Sequence, residues 1–340
     1  MNKPEIAGKI IQYIVKAQNN PVLHEEIFTD KNVGTSKHEF LFFIKPEITL
    51  KDPGLKTEAI INMMLDKMEK FDLAIRDIRI LGASYLDKYN IIARHYGVIN
   101  AMSRNPVEYF SQEAVDKFRD AFGTEPDETN VIGSLEFLKE FVQFDPVSLE
   151  TLWQNSKSVK LAGGTYCADV AVDGQQLYLV NGFHPRQLIH FTEKGRSIVA
   201  FTLKGDLNWS DARNSFIGKT NPADAAKGSL RNDLLVNREK YGLKSVSPSH
   251  NGFHLSAGPV EGLVELIRYC SDFSTGREKE IDDFLFGRQL LEIFTPHEVD
   301  KICTNSFVIS EGKKISVFDL TEEKNSDAAL ETLRKSSFAE

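Results

Sequence analysis

The stretch IGKTNPADAAKGSLRND, residues 217–233, concentrates phosphate-binding side chains in a segment with turn-forming glycines. It carries lysines, hydroxyl groups and a guanidinium: Lys219, Thr220, Lys227, Ser229 and Arg231. Backbone N–H groups in turns, hydroxyl donors and a guanidinium fork all suit a phosphate group. The letters GKT resemble the end of a Walker A motif, but that motif requires a glycine where this chain has Arg213. The segment therefore predicts a phosphate site of another kind or, alternatively, a polar surface loop.

A histidine follows in the stretch NGFHLS, residues 251–256. The helical pattern of residues 259–270 places Glu265 within the next helix. A carboxylate there can hydrogen-bond one ring nitrogen of His254, which fixes the tautomer and prepares the other nitrogen for attack on a phosphorus. The alternative, which this segment alone favours, is a half-buried histidine satisfied by a neighbour.

Hydrophobic periodicity predicts helices and strands around these two segments. HEFLFFIK, residues 38–45, is typical of a buried strand that Pro46 ends, and Lys45 either points a cation at a phosphate or merely ends the strand. Further strands are predicted at 72–81 and 196–205, with a β-hairpin turn near Val172–Asp173–Gly174. Helices are predicted at 3–18, 55–70, 84–96, 183–195, 259–270 and 280–294. Residues 19–36 form a polar stretch with turn residues, and the polar C-terminal end has a composition typical of disorder.

Composition limits the classes of protein. The chain has 340 residues, 41% of them hydrophobic and 26% charged, which is ordinary for about two globular domains. A net charge of -8 without a basic block does not favour a nucleic-acid partner. Three distant cysteines do not favour a disulfide framework or a cysteine zinc site, and they fit a reducing compartment. Since no window has the roughly 18 apolar residues of a membrane span, we expect a soluble, cytoplasmic protein without a membrane partner.

In order and spacing, these motifs resemble the nucleoside diphosphate kinase family. IKP at 44–46 and His95–Tyr96 match its first block. Its second block is matched by FHPRQL at 183–188, GKTNPAD at 218–224, GSLRND at 228–233, and then Asn251, His254, Ser256 and Glu265. The match covers residues 37–96 and 181–272. The shared order reverses the preference for a structural His254.

The resemblance implies an α+β fold, with a ferredoxin-like antiparallel sheet and helices packed on it. It divides the chain into an N-terminal helical extension (1–36), the kinase-like core (37–96 and 181–272), an insertion subdomain (97–180) and a C-terminal helical extension with a tail (273–340). The insertion is expected to be mostly helical, with one β-hairpin.

The resemblance also implies residue roles. His254 would be the phosphorylated nucleophile, oriented by Glu265, with Ser256 in the same catalytic motif. Phosphate contacts would come from Lys45, Tyr96, Thr220 and Arg231. Asn251 and Lys45 would reach the sugar hydroxyls, and Phe183 would stack on the base. ATP or another nucleoside triphosphate would be the donor, with Mg²⁺ held mainly by its phosphates.

Several positions depart from the family pattern. Leu255 replaces a glycine after the nucleophile, and Ala257 replaces an aspartate. Asn214 stands where a second phosphate-binding arginine is expected, and Arg213 is one residue away. Either a small loop shift restores the contact through Arg213, or the contact is lost. Pro248 replaces an apolar residue opposite the base. In the family, the position of the insertion is where the nucleotide enters. The insertion is either a subdomain without a role in the site or a segment that changes the second substrate.

Three functions follow as hypotheses. The first is transfer of the γ-phosphate of a nucleoside triphosphate to a nucleoside diphosphate through phosphohistidine. The second is the same half-reaction with a specialised small-molecule acceptor. The third is a nucleotide-binding module without turnover that binds a protein partner. The resemblance also allows a homo-oligomer, which the insertion and the extensions would block or replace.

Overall fold

The computed structural model describes residues 2–31 and 34–339, and it has a mixed α/β fold with antiparallel sheets and many helices. The strands are β1 (His24–Thr29), β2 (His38–Ile44), β3 (Ala74–Gly82), β4 (Val131–Gly133), β5 (Ser158–Ala162), β6 (Thr165–Val172), β7 (Gln175–Val180), β8 (Ser197–Gly205), β9 (Phe253–Leu255), β10 (Phe307–Ser310), β11 (Lys313–Ser316) and β12 (Ser337–Phe338). The helices are α1 (Lys3–Asn19), α2 (Pro46–Thr49), α3 (Thr57–Lys70), α4 (Ala83–Lys88), α5 (Ile91–His95), α6 (Gly97–Met102), α7 (Pro106–Tyr109), α8 (Gln112–Phe122), α9 (Ser134–Glu140), α10 (Pro146–Gln154), α11 (His184–Thr192), α12 (Trp209–Asp211), α13 (Leu230–Val236), α14 (Pro259–Cys270), α15 (Leu285–Ile293), α16 (Pro296–Cys303), α17 (Val317–Thr321) and α18 (Ser326–Arg334). A π-helical turn covers Ala212–Ile217, and a 3-10 turn covers Ile281–Asp283.

The described residues divide into two compact units: those before Asn90 together with those after Glu193, and Asn90–Glu193. The first unit contains a sheet with the order β1-β3-β8-β2-β9, and all its neighbouring strands are antiparallel. Every residue of β2 is buried, as its largely apolar sequence predicts. Phe43 on β2 lies opposite Ala200 on β8 and opposite His254 on β9. Because opposed residues point to the same face of a sheet, Phe43 and His254 share one face.

The two faces of this sheet have different neighbours. Phe40, Phe42 and Ile44 join the buried residues of α1 and α3 in one apolar core. On the opposite face, the ring of Phe43 lies 5.4 Å from that of Tyr269 on α14, measured between centroids. Helix α14 therefore packs on the face that carries His254.

Strand β1 corrects the prediction that residues 19–36 are only a polar stretch with turns. In its sequence, HEEIFT, only Ile27 is a buried residue, and the strand therefore lacks the alternation that marks a half-buried strand. Pairing with β3 supplies the missing stabilisation. Glu26 lies opposite Arg79, and their side chains form an ion pair at 3.1 Å.

The C-terminal part is also more ordered than its composition predicts. The described residues to 339 include α16, α17 and α18 and a three-stranded sheet with the order β11-β10-β12. The prediction of a disordered end is therefore wrong. Its apolar residues are few, but Ala329, Leu330 and Leu333 have helical spacing on α18 and are buried.

The second unit, Asn90–Glu193, contains a four-stranded sheet with the order β4-β7-β6-β5. The predicted hairpin is present as β6 and β7, and Asp173 and Gly174 at its turn have positive φ angles of 52° and 78°. Pairing of β5 with β6 and of β4 with β7 makes this unit richer in strands than the predicted insertion. The domain boundaries at 97 and 180 stay a prediction.

The helix predicted at 84–96 is divided into α4 and α5. Asn90 separates them with a φ angle of 53°, a left-handed conformation that an α-helix does not continue through. Among the helices of the described residues, none has both the length and the apolar character needed to cross a membrane.

Candidate functional site

His254 lies on β9, where its ring stacks on the ring of Phe43. The two centroids are 4.5 Å apart, and the ring planes differ by 19°. The His254 side chain is 16% exposed. The stack fixes the plane of the imidazole, and a hydrogen bond then fixes its rotation within that plane.

Glu265 on α14 makes this hydrogen bond. Its Oε2 lies 3.0 Å from Nε2 of His254, and the Ser256 hydroxyl donates to the same carboxylate oxygen. A carboxylate at Nε2 favours the tautomer with its proton on that nitrogen, and the lone pair is then on Nδ1. The structure thus brings together three of the predicted site residues, which we call the nucleophile cluster (His254, Ser256 and Glu265).

Glu261, which our reading of the sequence missed, lies one turn before Glu265 on α14. Its Oε2 accepts a hydrogen bond from the backbone N–H of Ala257 at 3.2 Å. Burial, together with the neighbouring charge of Glu265, raises the pKa of Glu261 to about 8. This carboxyl therefore holds a proton at neutral pH. The spacing of four residues between the two glutamates was the available sequence signal.

Lys45 lies between β2 and α2, and it is linked to two other predicted residues. Its Nζ donates to Asn251 Oδ1 at 2.7 Å, and Asn251 Nδ2 donates to the backbone oxygen of Thr220 at 3.0 Å. Desolvation lowers the pKa of Lys45 to about 8, although the charge of Glu47 opposes this shift. The lysine therefore still carries most of its charge at neutral pH.

Arg231, in the first turn of α13, joins two backbone segments. Its Nη1 donates to the carbonyl of Gly218 at 2.8 Å, and its Nη2 donates to the carbonyl of Phe253 at 3.0 Å. Gly218 has a φ angle of 87°, and a Cβ atom there would lie 2.3 Å from Ser229 Oγ. The segment therefore requires glycine at 218 for both its conformation and its close packing.

Arg213 lies in the π-helical turn Ala212–Ile217, a type of turn that is frequent at functional sites. Its Nη1 donates to the carbonyl of Leu255, the residue after His254, at 2.9 Å. The side chain of Asn214 points elsewhere, because its Nδ2 donates to Glu323 Oε2 at 3.1 Å. Arg213 rather than Asn214 therefore contacts the strand that carries His254.

A pocket of about 400 Å³ opens beside Arg213, and we call it the Arg213 pocket. Its walls combine cationic, hydroxyl, amide and acidic groups: Arg213, Asn214, Gly218, Lys219, Thr220, Asn221, Asp224 and Glu323. Most of them come from the phosphate-binding stretch that the sequence predicted. Glu323 comes from the C-terminal extension and had no local sequence signal.

Tyr96 and Phe183 belong to the second unit. The ring of Tyr96 lies 6.2 Å from that of Phe191, and the ring of Phe183 lies 5.9 Å from that of Trp153. Both therefore take part in aromatic contacts of their own unit. Their roles beside a nucleotide stay predictions.

No protein-family model matches this chain, and no curated protein matches it. Among solved structures, the chain is similar to an NDP kinase from Pyrobaculum aerophilum. The TM-score is 0.34 and the identity is 17%, with 71% of this chain and 98% of that chain covered.

Proposed function

We propose that this chain is a phosphotransferase that takes the γ-phosphoryl group of a nucleoside triphosphate onto His254 and passes it to a nucleoside diphosphate. The supporting observation is the geometry of His254. Its Nε2 is hydrogen-bonded to Glu265, and the next residue along β9 is hydrogen-bonded to Arg213, which lines the pocket. A nucleophile and a phosphate-binding cation are therefore joined through one short strand.

The reaction has two steps. In the first, Nδ1 of neutral His254 attacks the γ-phosphorus and an N–P bond forms. The bond from that phosphorus to its bridging oxygen breaks, and the nucleoside diphosphate leaves with this oxygen. Positive charge develops on the imidazole, and the carboxylate of Glu265 stabilises it. In the second step an oxygen of the acceptor attacks the same phosphorus, and the N–P bond breaks.

The remaining site residues supply charge and orientation in this proposal. Lys45, Arg213 and Arg231 provide cations for the donor phosphates, and Thr220 provides a hydroxyl. Asn251 would contact the sugar.

Mg²⁺ would be held mainly by the phosphates, and it would neutralise part of their charge. The Arg213 pocket fits this ion because Asp224, one of its lining residues, offers carboxylate oxygens.

The proposal extends to the fold. The order β3-β8-β2-β9, with α3 between β2 and β3 along the chain, supports a ferredoxin-like core. In that reading, β1 and the C-terminal elements are additions to the core, and residues 97–180 are an insertion.

The test is incubation with ATP labelled on its γ-phosphate, followed by measurement of protein-bound label. We expect acid-labile, base-stable label on His254, and we expect none in His254→Ala. His297→Ala is the matched control, because His297 is an exposed histidine on α16. Absence of acid-labile label from the wild-type protein with bound nucleotide contradicts the proposal.

A specialised acceptor is the second candidate, and one observation favours it. Glu323 lines the pocket and hydrogen-bonds Asn214, at the position where an arginine would favour a diphosphate. Labelled protein should be offered nucleoside diphosphates and, separately, a panel of small metabolites. Transfer to a metabolite but not to any diphosphate would establish the second candidate in place of the first.

A further inference from the structure

Two successive glutamates of the C-terminal extension lie against the Arg213 pocket. Glu322 Oε1 is 3.7 Å from Arg213 Nη2, and Glu323 Oε2 accepts the hydrogen bond from Asn214. Both follow Thr321, the last residue of α17. We call Thr321–Glu323 the acidic turn.

The acidic turn is fixed on the backbone that follows the nucleophile. The N–H of Glu323 donates to the carbonyl of Ala257 at 2.9 Å. A Cβ atom at Gly258 would lie 2.6 Å from the carbonyl oxygen of Thr321, so that the two backbones are in close contact. Glu323 has a φ angle of 57°, which is uncommon for a residue other than glycine and persists only where surrounding contacts hold it. The turn therefore has a defined position at the pocket.

The contacts that the two carboxylates make are those that a phosphate would use. A guanidinium binds carboxylate and phosphate oxygens with the same donors, so that the two anions compete for it. The side chain of Glu322 is 47% exposed, and an ion pair at this exposure is weak because water screens it. A phosphate, which carries more charge than a carboxylate, can therefore displace it.

We propose that the acidic turn is a built-in competitor that sets the affinity of the Arg213 pocket for phosphate. Glu322 and Glu323 hold Arg213 and Asn214 before a phosphate enters, and they are displaced when it binds. The inference rests on the proposed function, since it takes this pocket as the phosphate site. It gives the C-terminal extension a regulatory role in the site.

The test is calorimetric titration of the full-length protein with inorganic pyrophosphate in the presence of EDTA. This probe has no base and no metal, and it therefore reports only phosphate binding. Glu322→Gln and Glu323→Gln keep the size of each side chain and remove its charge. We expect the double variant to bind pyrophosphate about fivefold to tenfold more tightly than the wild type. Glu292→Gln, which removes one negative charge at an exposed position of α15, is the control for each single variant and should stay within about twofold of the wild type.

Unchanged or weaker binding in the double variant overturns the inference. Absence of pyrophosphate binding in every variant also overturns it, because the pocket is then not a phosphate site. Labelling of His254 from Mg-ATP separates this result from failure of the proposed function, since label can form whatever the effect of Glu322 and Glu323 on affinity.

Hydrogen exchange provides a second test that needs no variant. We expect the Glu323 amide to exchange no more slowly in the presence of saturating pyrophosphate, because the side-chain carboxylate is displaced while the backbone bond to Ala257 stays in place. Slower exchange would show that the turn closes over the ligand instead, and this overturns the inference.

Discussion

The nucleophile cluster and the Arg213 pocket are adjacent, but they are assembled in different ways. Only 11 positions separate His254 on β9 from Glu265 on α14, and Ser256 directly follows the strand. In the pocket, 109 positions separate Asn214 from Glu323. The comparison indicates that a local segment assembles the cluster, whereas the pocket is completed by a distant segment of the chain.

Substitution of Glu265 should have the largest effect on the labelling rate. This effect should be confined to the nucleophile cluster and should not extend to the Arg213 pocket. Glu265→Gln keeps the shape of the side chain but removes the charge that stabilises the imidazolium. We expect the rate of His254 labelling to fall by about 100-fold or more, while pyrophosphate affinity stays within about twofold. Rapid-quench labelling and calorimetry measure the two quantities. An equal loss of affinity would mean that the cluster and the pocket are not separable.

Gly218→Ala should affect the Arg213 pocket, because Gly218 is one of its lining residues. Alanine is strained at a φ angle of 87°, and its Cβ atom would collide with Ser229 Oγ. We expect the free energy of unfolding to fall by about 2 kcal/mol, and we expect weaker pyrophosphate binding. Chemical denaturation measures the first quantity. Gly312→Ala is the control, because Gly312 has a φ angle of 75° in a turn with no atom within 4 Å of the added Cβ. Equal destabilisation in both variants would assign the whole effect to backbone conformation.

Glu261→Gln should have the smallest effect. It tests whether Glu261, which interacts with Glu265 of the nucleophile cluster and with Arg213 of the pocket, connects the two regions. The pKa of Glu261 is near 8 in the folded protein and near 4.5 in an unfolded chain. Between these values the folded state holds the extra proton, and stability from this group is therefore lost as pH rises from about 4.5 to about 8. We expect the wild type to lose on the order of 1 kcal/mol more than Glu261→Gln between pH 6 and pH 8.5.

Denaturation at several pH values measures this difference, with Glu292→Gln as the control. The groups around Glu261 are Glu265 on its own helix, Arg213 and Glu322. Identical pH profiles for the wild type and Glu261→Gln would show that the carboxyl is ionised in the fold and that its proton does not link the two regions.

Much of the first unit could be predicted because its patterns are local. The apolar run of β2, the alternation of β3 and the helical spacing of α3 and α14 lie close to their predicted bounds. Strand β1 could not be predicted in this way, because ion pairing and hydrogen bonding with β3 stabilise it rather than its own periodicity. In the second unit the hairpin was predicted but β4 was missed for a similar reason, since β4 has three residues and gains its partner β7 only in the fold.

The residues of the candidate site also divide into those that local patterns predict and those that depend on tertiary packing. The pairing of His254 with Glu265 could be proposed from the helical pattern of α14, whereas Ser256, Lys45 and Asn251 were assigned to the site only through the resemblance of their motifs. Arg213 was predicted one residue from the expected arginine position, and the π-helical turn gives its contact a structural basis. The positions of Glu322 and Glu323 beside the pocket depend on the tertiary packing of α17, and no local sequence pattern indicates these positions.

The two hydrogen bonds of Arg231 also have a consequence for the timing of the reaction. They join the backbone of Gly218 at the pocket to the backbone of Phe253 beside the nucleophile. In phosphoryl transfer the reacting atoms must come within about 3–3.5 Å in the correct orientation, and the search for that arrangement is entropically unfavourable. With the two segments joined by a planar, buried group, most of that entropy is lost once, when the chain folds. In the proposed reaction, each turnover would then begin with His254 and the Arg213 pocket already aligned.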